Sequence, residues 1–229
     1  PEEPFFHSGS WSGLADWKKE LEPQYSEAER ILGATGNPEL YYSDEALKEV
    51  ARSYGKLERY EHTRVGIYFG EPEKVVPDPF VSGGGPEREG CRHCGACMTG
   101  CRHNAKNTLD KNYLYLAEKF GAEVKPEANV LNIQPLYGPR AGAARYELQY
   151  EHITDWIFKR KSSVRARNVV VAGGVLGTLN LLLMCRDEHQ SLPLISQKLG
   201  KQVRSNSEAL MGVTARGDEV NYSEGVAIS

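Results

Sequence analysis

Hydrophobic positions along this chain come in blocks of changing period, with no solenoid repeat and no low-complexity tract. Residues 1 to 60 mix aromatic and charged side chains, including Trp11 and Trp17, and predict helices over Ser26–Leu32 and Asp44–Tyr54. Ser43 is a suitable cap for the second, with Asp44 and Glu45 favourably placed in its first turn. His62–Phe69 alternates loosely, as a strand does. Gly70–Gly90 carries Pro72, Pro77, Pro79, three consecutive glycines and Pro86, and predicts a long irregular connection.

The clearest helical stripe is Leu109, Tyr113, Leu116, Ala117 and Phe120, which predicts a helix over Thr108–Phe120 capped by Thr108 and closed by Gly121 at C′. Short β-type runs follow near Glu123, over Val130–Ile133, Tyr146–Tyr150 and Ile153–Phe158, and in Asn168–Val171. That last run is continuous and β-branched, as in a strand buried on both faces. Ala172-Gly173-Gly174-Val175-Leu176-Gly177 then turns it into a helix bearing Leu179, Leu182 and Leu183. The order of elements is that of an α/β protein.

Composition narrows the classes. With 40% hydrophobic and 26% charged residues the 229-residue chain has enough apolar content to bury a core, which excludes disorder. A net charge of −3 gives no electrostatic footprint for nucleic acid. The one basic stretch, Lys159 to Arg167, reads as a solvated hairpin face. The longest apolar run, Val169–Cys185, is interrupted by Gly173, Gly174, Gly177 and Asn180 and falls short of a membrane span. The opening Pro1-Glu2-Glu3-Pro4 has no initiator Met and no signal-peptide regions, so the chain is expected to be an internal piece of a longer protein.

Four of five cysteines fall in Cys91-x2-Cys94-x2-Cys97-x3-Cys101, a ferredoxin-like spacing. Disulfides between positions so close are geometrically awkward, so these four residues are expected to bind metal, an iron–sulfur cluster or alternatively zinc, in a reducing, cytoplasmic setting. Arg102 stands where a bacterial ferredoxin carries proline. His93 and His103 are read as solvent-facing or charge-balancing, and Cys185, after three leucines and Met184, as a small buried apolar residue. Gly173, Gly174 and Gly177 suit the pyrophosphate of a dinucleotide at a helix N-terminus, although Ala172 replaces the first glycine of the fingerprint. A tight strand-to-helix turn with no ligand explains the same glycines.

Three segments carry a family resemblance: Asn104-Ala105-Lys106-Asn107-Thr108-Leu109-Asp110-Lys111-Asn112-Tyr113-Leu114; Ala128-Asn129-Val130-Leu131-Asn132-Ile133; and Gly173–Thr178 with Leu181–Asp187, Ser191-Leu192-Pro193 and Leu199-Gly200. In order and spacing they resemble the glucose-methanol-choline (GMC) oxidoreductases, in the cholesterol oxidase-like branch, over about residues 20 to 215. The resemblance implies a partial FAD-binding Rossmann-like domain plus part of a mixed α+β substrate domain. It places part of the substrate domain and a long connection in 1–90, the cysteine-rich loop in 91–107, part of the FAD-binding domain in 108–182 and a return to the substrate domain in 183–229. It implies that the backbone at Val130 meets the adenine end of FAD and that Gly173, Gly174 and Gly177 meet the cofactor too. It further implies an alcohol or sterol substrate, hydride transfer to flavin and an electron acceptor, with the cysteines as an addition. No residue here matches the family's catalytic histidine segment, so the chain alone is expected to be inactive.

Overall fold

The computed structural model describes residues 3–138, 142–156, 158–203, 212–214, 216 and 220–226. The chain divides into two compact units, Pro1–Glu123 with Val213–Ser229, and Val124–Gly212. Helices and strands are mixed throughout, as an α/β reading requires.

The first unit contains α1 (Glu3–His7), α2 (Trp17–Leu32), α3 (Tyr42–Ser53) and α4 (Tyr113–Lys119), with two-residue strands β1 (Thr35–Gly36), β2 (Arg64–Val65), β3 (Val75–Val76) and β4 (Arg88–Glu89). Helix α2 starts well before the predicted Ser26, because Asp16 caps it by accepting the Lys19 N–H, and it runs through Pro23. Gly33 ends it at φ +62°, and a Cβ there would fall inside the Phe80 ring. Helix α3 begins at Tyr42, so Ser43 lies inside the helix. The Asp44 carboxylate instead accepts the Tyr41 N–H at 2.9 Å.

The predicted Thr108–Phe120 helix is broken. A 3-10 turn over Leu109–Lys111 gives way at Asn112, whose side chain caps α4 by accepting the Tyr113 N–H. Gly121 closes the helix at φ +95°, as its position predicts. Of the predicted His62–Phe69 strand only β2 forms, antiparallel to β1, with one further bridge from Ile67 to Lys106. Gly70–Gly90 is irregular apart from the paired β3 and β4.

The second unit is an antiparallel meander of β5 (Ala128–Pro135), β6 (Tyr146–His152) and β7 (Lys161–Ala166), followed by α5 (Gly174–Leu183) and one π-turn, Met184–Glu188. The runs expected at Val130–Ile133 and Tyr146–Tyr150 are the cores of β5 and β6. The run expected at Ile153–Phe158 is not a strand where it is described (Ile157 lies outside the described residues), and none forms near Glu123. There the chain turns, Asp155 accepts the Arg160 N–H at 3.0 Å, and the third strand uses the basic stretch instead. Lys159 pairs with Glu151 at 2.8 Å and Arg165 with Glu147 at 3.3 Å, on the expected solvated face.

The Asn168–Val171 run is the plainest departure. It is unpaired among the described residues, and Val170 is 89% exposed. A β-branched run makes a buried strand only where neighbouring strands supply hydrogen bonds and apolar cover, and none of the described residues does so here.

Candidate functional site

The cysteine loop belongs to the first unit and is anchored in its core by Cys91, while Cys94 is exposed. Cys91 is packed in one buried cluster with Ile67, Ala105 and Val226, against which Val65, Phe69, Cys97 and Cys101 pack. Backbone bonds fix the loop on two sides: Cys91 N–H donates to the Tyr68 carbonyl at 2.9 Å, and Tyr68 N–H donates to that of Ala105 at 2.9 Å. Gly225 N–H donates to the His93 carbonyl at 2.7 Å and Gly95 N–H to the Gly225 carbonyl at 2.9 Å. Gly95 is required twice over: it sits at φ +66°, and a Cβ would come within 2.4 Å of the Ser223 carbonyl oxygen.

All four thiols of the run are free and line one small cavity with Ile67, Ala96, Ala105, Lys106, Arg92 and His103. The His93 N–H donates to Cys91 Sγ at 3.4 Å. Burial pushes the Cys91 thiol up. Cys101 is pulled down: burial raises it, but N–H donors from Lys106, His103 and Ala105 and the charge of Lys111 outweigh that. The His93 ring is held between Tyr41 and Phe69, 5.6 Å from each, and His103 faces Glu89 at 3.8 Å. Among the described residues no group of three or more His, Cys, Asp or Glu side chains converges as a single-ion site.

The segment after the loop positions it. Lys106 Nζ donates to the Cys97 carbonyl at 2.8 Å. Asn107 Oδ1 accepts from Arg88 at 2.7 Å and from Asn112 at 3.2 Å, while its amide donates to the Ile31 carbonyl at 2.8 Å. Arg88 is fully buried, 3.9 Å from the equally buried Asp78, with Phe80 stacked over its guanidinium. Desolvation pulls the Arg88 pKa down and Asp78 opposes it. Sequence reading missed Arg88 and Asp78. An arginine flanked by Glu87 and Glu89 looks like surface, and only the tertiary partners show otherwise.

The second candidate site belongs to the second unit. Val130 lies on β5, opposite Tyr150, beside a register shift between Val130 and Asn132. Gly173 is the N-cap of α5 and Gly174 its first residue, at φ +68°. No side chain caps this N-terminus, and a Cβ at Gly174 or Gly177 would meet nothing within 4 Å. The open backbone N–H groups are the donor set that a pyrophosphate needs, so the glycines fit the dinucleotide reading. Strand β5 and the end of α5 are joined through Cys185, which is fully buried as expected. Ile133 N–H donates to Cys185 Sγ at 3.4 Å, the Cys185 thiol donates to Asn132 Oδ1, and the Ser191 hydroxyl donates to the same oxygen at 2.6 Å. The structure thus brings the Val130 strand and the glycine-turn helix into one packed piece. The four cysteines of the run belong to the other.

An uncapped glycine turn opening a helix that packs on the Val130 strand is compatible with a dinucleotide-binding framework. The family model for GMC oxidoreductase matches residues 86–220, more than half of the chain, and the chain belongs to that family of FAD-dependent alcohol oxidoreductases. Along its whole length it is 43% identical to a cholesterol oxidase of Acinetobacter baumannii, covering 42% of that protein. It is 40% identical to a cholesterol oxidase of Mycobacterium tuberculosis (strain H37Rv), covering 40% of it. The chain therefore spans about two fifths of the length of the curated relatives it matches. No solved structure matches it. No helix among the described residues is long and apolar enough to cross a membrane.

Proposed function

We propose that this chain forms part of an FAD-dependent enzyme that oxidises the CH–OH group of a sterol-class alcohol. The observation that carries the reading is the similarity of the whole chain to two cholesterol oxidases, which includes the glycine turn and the Val130 strand. When bound, FAD supplies the acceptor for the hydride that leaves the carbinol carbon. The chain's own residues bind and orient the cofactor. The backbone at Val130 meets its adenine end, and the α5 N-terminus at Gly173, Gly174 and Gly177 donates N–H groups to its pyrophosphate. None of the described residues is assigned as the base that takes the hydroxyl proton. Five free thiols suit a reducing, cytoplasmic setting, with an electron acceptor completing the turnover.

The rival reading is a metal-binding or iron–sulfur electron-transfer module without flavin chemistry of its own, and the four thiols around one cavity favour it. Purifying the protein at the length of its relatives and counting heat-released flavin per chain separates the two. About one flavin per chain, with oxidation of cholesterol to its ketone, is expected. A folded, flavin-free protein that leaves cholesterol untouched would overturn the proposal.

A further inference from the structure

No step of the proposed hydride chemistry calls on the thiol cavity of the first unit, and nothing in the family assignment accounts for it. We infer that Cys91, Cys94, Cys97 and Cys101 together hold one [4Fe–4S] cluster, a prosthetic group separate from the flavin.

Four features of the cavity support this. Its lining includes all four thiols of the run, whereas the fifth, Cys185, is buried in the other unit with hydrogen-bond partners of its own. One run therefore supplies the complete ligand set of a single cluster, with no distant cysteine required. A tetrahedral zinc ion needs every ligand sulfur about 2.3 Å from one centre. A four-iron cube presents four separate iron corners, one to each thiolate, a demand that four cysteines of one run lining one cavity can meet.

The thiolates are also served by the backbone. Cys91 Sγ accepts the His93 N–H at 3.4 Å. Such donors stabilise thiolate charge where burial opposes it. Lys106 brings a positive charge to the lining beside the apolar Ile67, Ala96 and Ala105, while Arg92 is paired with Glu73 and Glu89 and Cys94 is exposed. Finally, the loop is held in shape by bonds outside itself, from Tyr68 on one side and Gly225 on the other. Its ligands are thus organised before any metal arrives, which lowers the ordering cost of binding.

The test is metal and sulfide analysis of the full-length protein, produced with iron supplied and purified without oxygen, with flavin counted in the same sample. About four iron and about four acid-labile sulfides per chain are expected, with an electron paramagnetic resonance signal that appears on dithionite reduction. Stoichiometric zinc without sulfide, about two iron per chain, or neither metal after anaerobic reconstitution with iron and sulfide would each overturn the inference. Cys97→Ser is expected to lose most of the iron and sulfide while flavin content stays; Cys185→Ala is expected to keep both. If Cys97→Ser does not fold, the wild-type stoichiometry decides alone. Because flavin is counted separately, a cluster without flavin overturns only the flavin reading, and flavin without iron and sulfide overturns only this one.

Discussion

The cysteine loop and the glycine turn are both irregular, glycine-bearing segments, and their surroundings are opposite. Around the loop the chain completes its own environment: Tyr68, Ala105 and Gly225 take its backbone bonds, Lys106 ties its middle, and Arg88 with Asn107 and Asn112 braces the segment behind it. Around the turn the chain leaves backbone open. The α5 N-terminus is uncapped, the space beside Gly174 and Gly177 is empty, and Val170 and Leu176 are 89% and 83% exposed. The difference follows from the reach of each chemistry. A thiolate site draws its ligands from eleven adjacent residues, while a dinucleotide site needs strands and helices far apart in sequence.

The largest expected effect tests whether the first region is self-sustaining. Arg88→Met removes the cation from a fully buried pair and leaves the Asp78 carboxylate and Asn107 Oδ1 without it. Unfolding free energy measured by urea titration is expected to fall by about 3–5 kcal/mol, because an uncompensated buried charge remains. A loss under about 1 kcal/mol would mean that Asp78 is already satisfied by its backbone donors, Phe80, Val81 and Gly85.

In the second region the corresponding brace is Asn132, which accepts from Ser191 and from Cys185. Asn132→Ala leaves the buried Cys185 thiol without this acceptor, while the Ser191 hydroxyl keeps the Cys185 carbonyl at 3.3 Å, and is expected to cost about 1–3 kcal/mol. The cost should be smaller than for Arg88→Met, since no ion is orphaned. Equal losses would erase the contrast between the regions.

How much of this was legible beforehand follows the same division. The cysteine spacing, the glycine turn with its helix and the strands around Val130 and Tyr146 are local patterns, and the structure keeps them. The break at Asn112 is not local. The stripe from Leu109 to Phe120 reads as one helix, but the Asn112 amide donates to Asn107 and its side-chain oxygen caps Tyr113, and Asn107 is itself fixed by Arg88 and the Ile31 carbonyl, which only the tertiary fold brings close. The third strand was misplaced for a comparable reason. Ile153–Phe158 has the apolar composition of a strand, yet Glu147 and Glu151 on β6 recruit the basic residues that follow, and Trp156 is 98% exposed. The Asn168–Val171 run was read with correct chemistry and without partners. Its composition suits burial that the described residues do not provide.

Gly177→Ala sharpens the contrast with an effect of opposite sign on two readouts. The position is inside α5 and faces open space, so alanine is expected to raise stability by about 0.5–1 kcal/mol. If the cofactor's pyrophosphate approaches this backbone, the same methyl lowers flavin occupancy in the full-length protein. Stability and flavin content rising together would remove Gly177 from the binding site while leaving Gly173 and Gly174 in it.

The smallest effect concerns Tyr41, whose ring packs on His93 beside the cysteine loop. Its hydroxyl donates to the Glu39 carboxylate at 2.8 Å, and that bond, with some desolvation and the charge of Glu39, pushes its pKa up to about 12. The folded state therefore holds this proton more tightly than the unfolded chain, where tyrosine titrates near ~10. The stabilisation is complete below the unfolded pKa and is lost as pH rises through the folded value. Because the hydroxyl pair is largely exposed, water and salt screen it and the stability change should be slight. The spectroscopic change is clearer. In a tyrosinate absorbance titration of the folded protein one late-titrating tyrosine is expected, and Tyr41→Phe should abolish that late phase alone. Loss of the late phase in Glu39→Gln as well would assign the shift to the carboxylate, and its survival there would assign it to burial against His93.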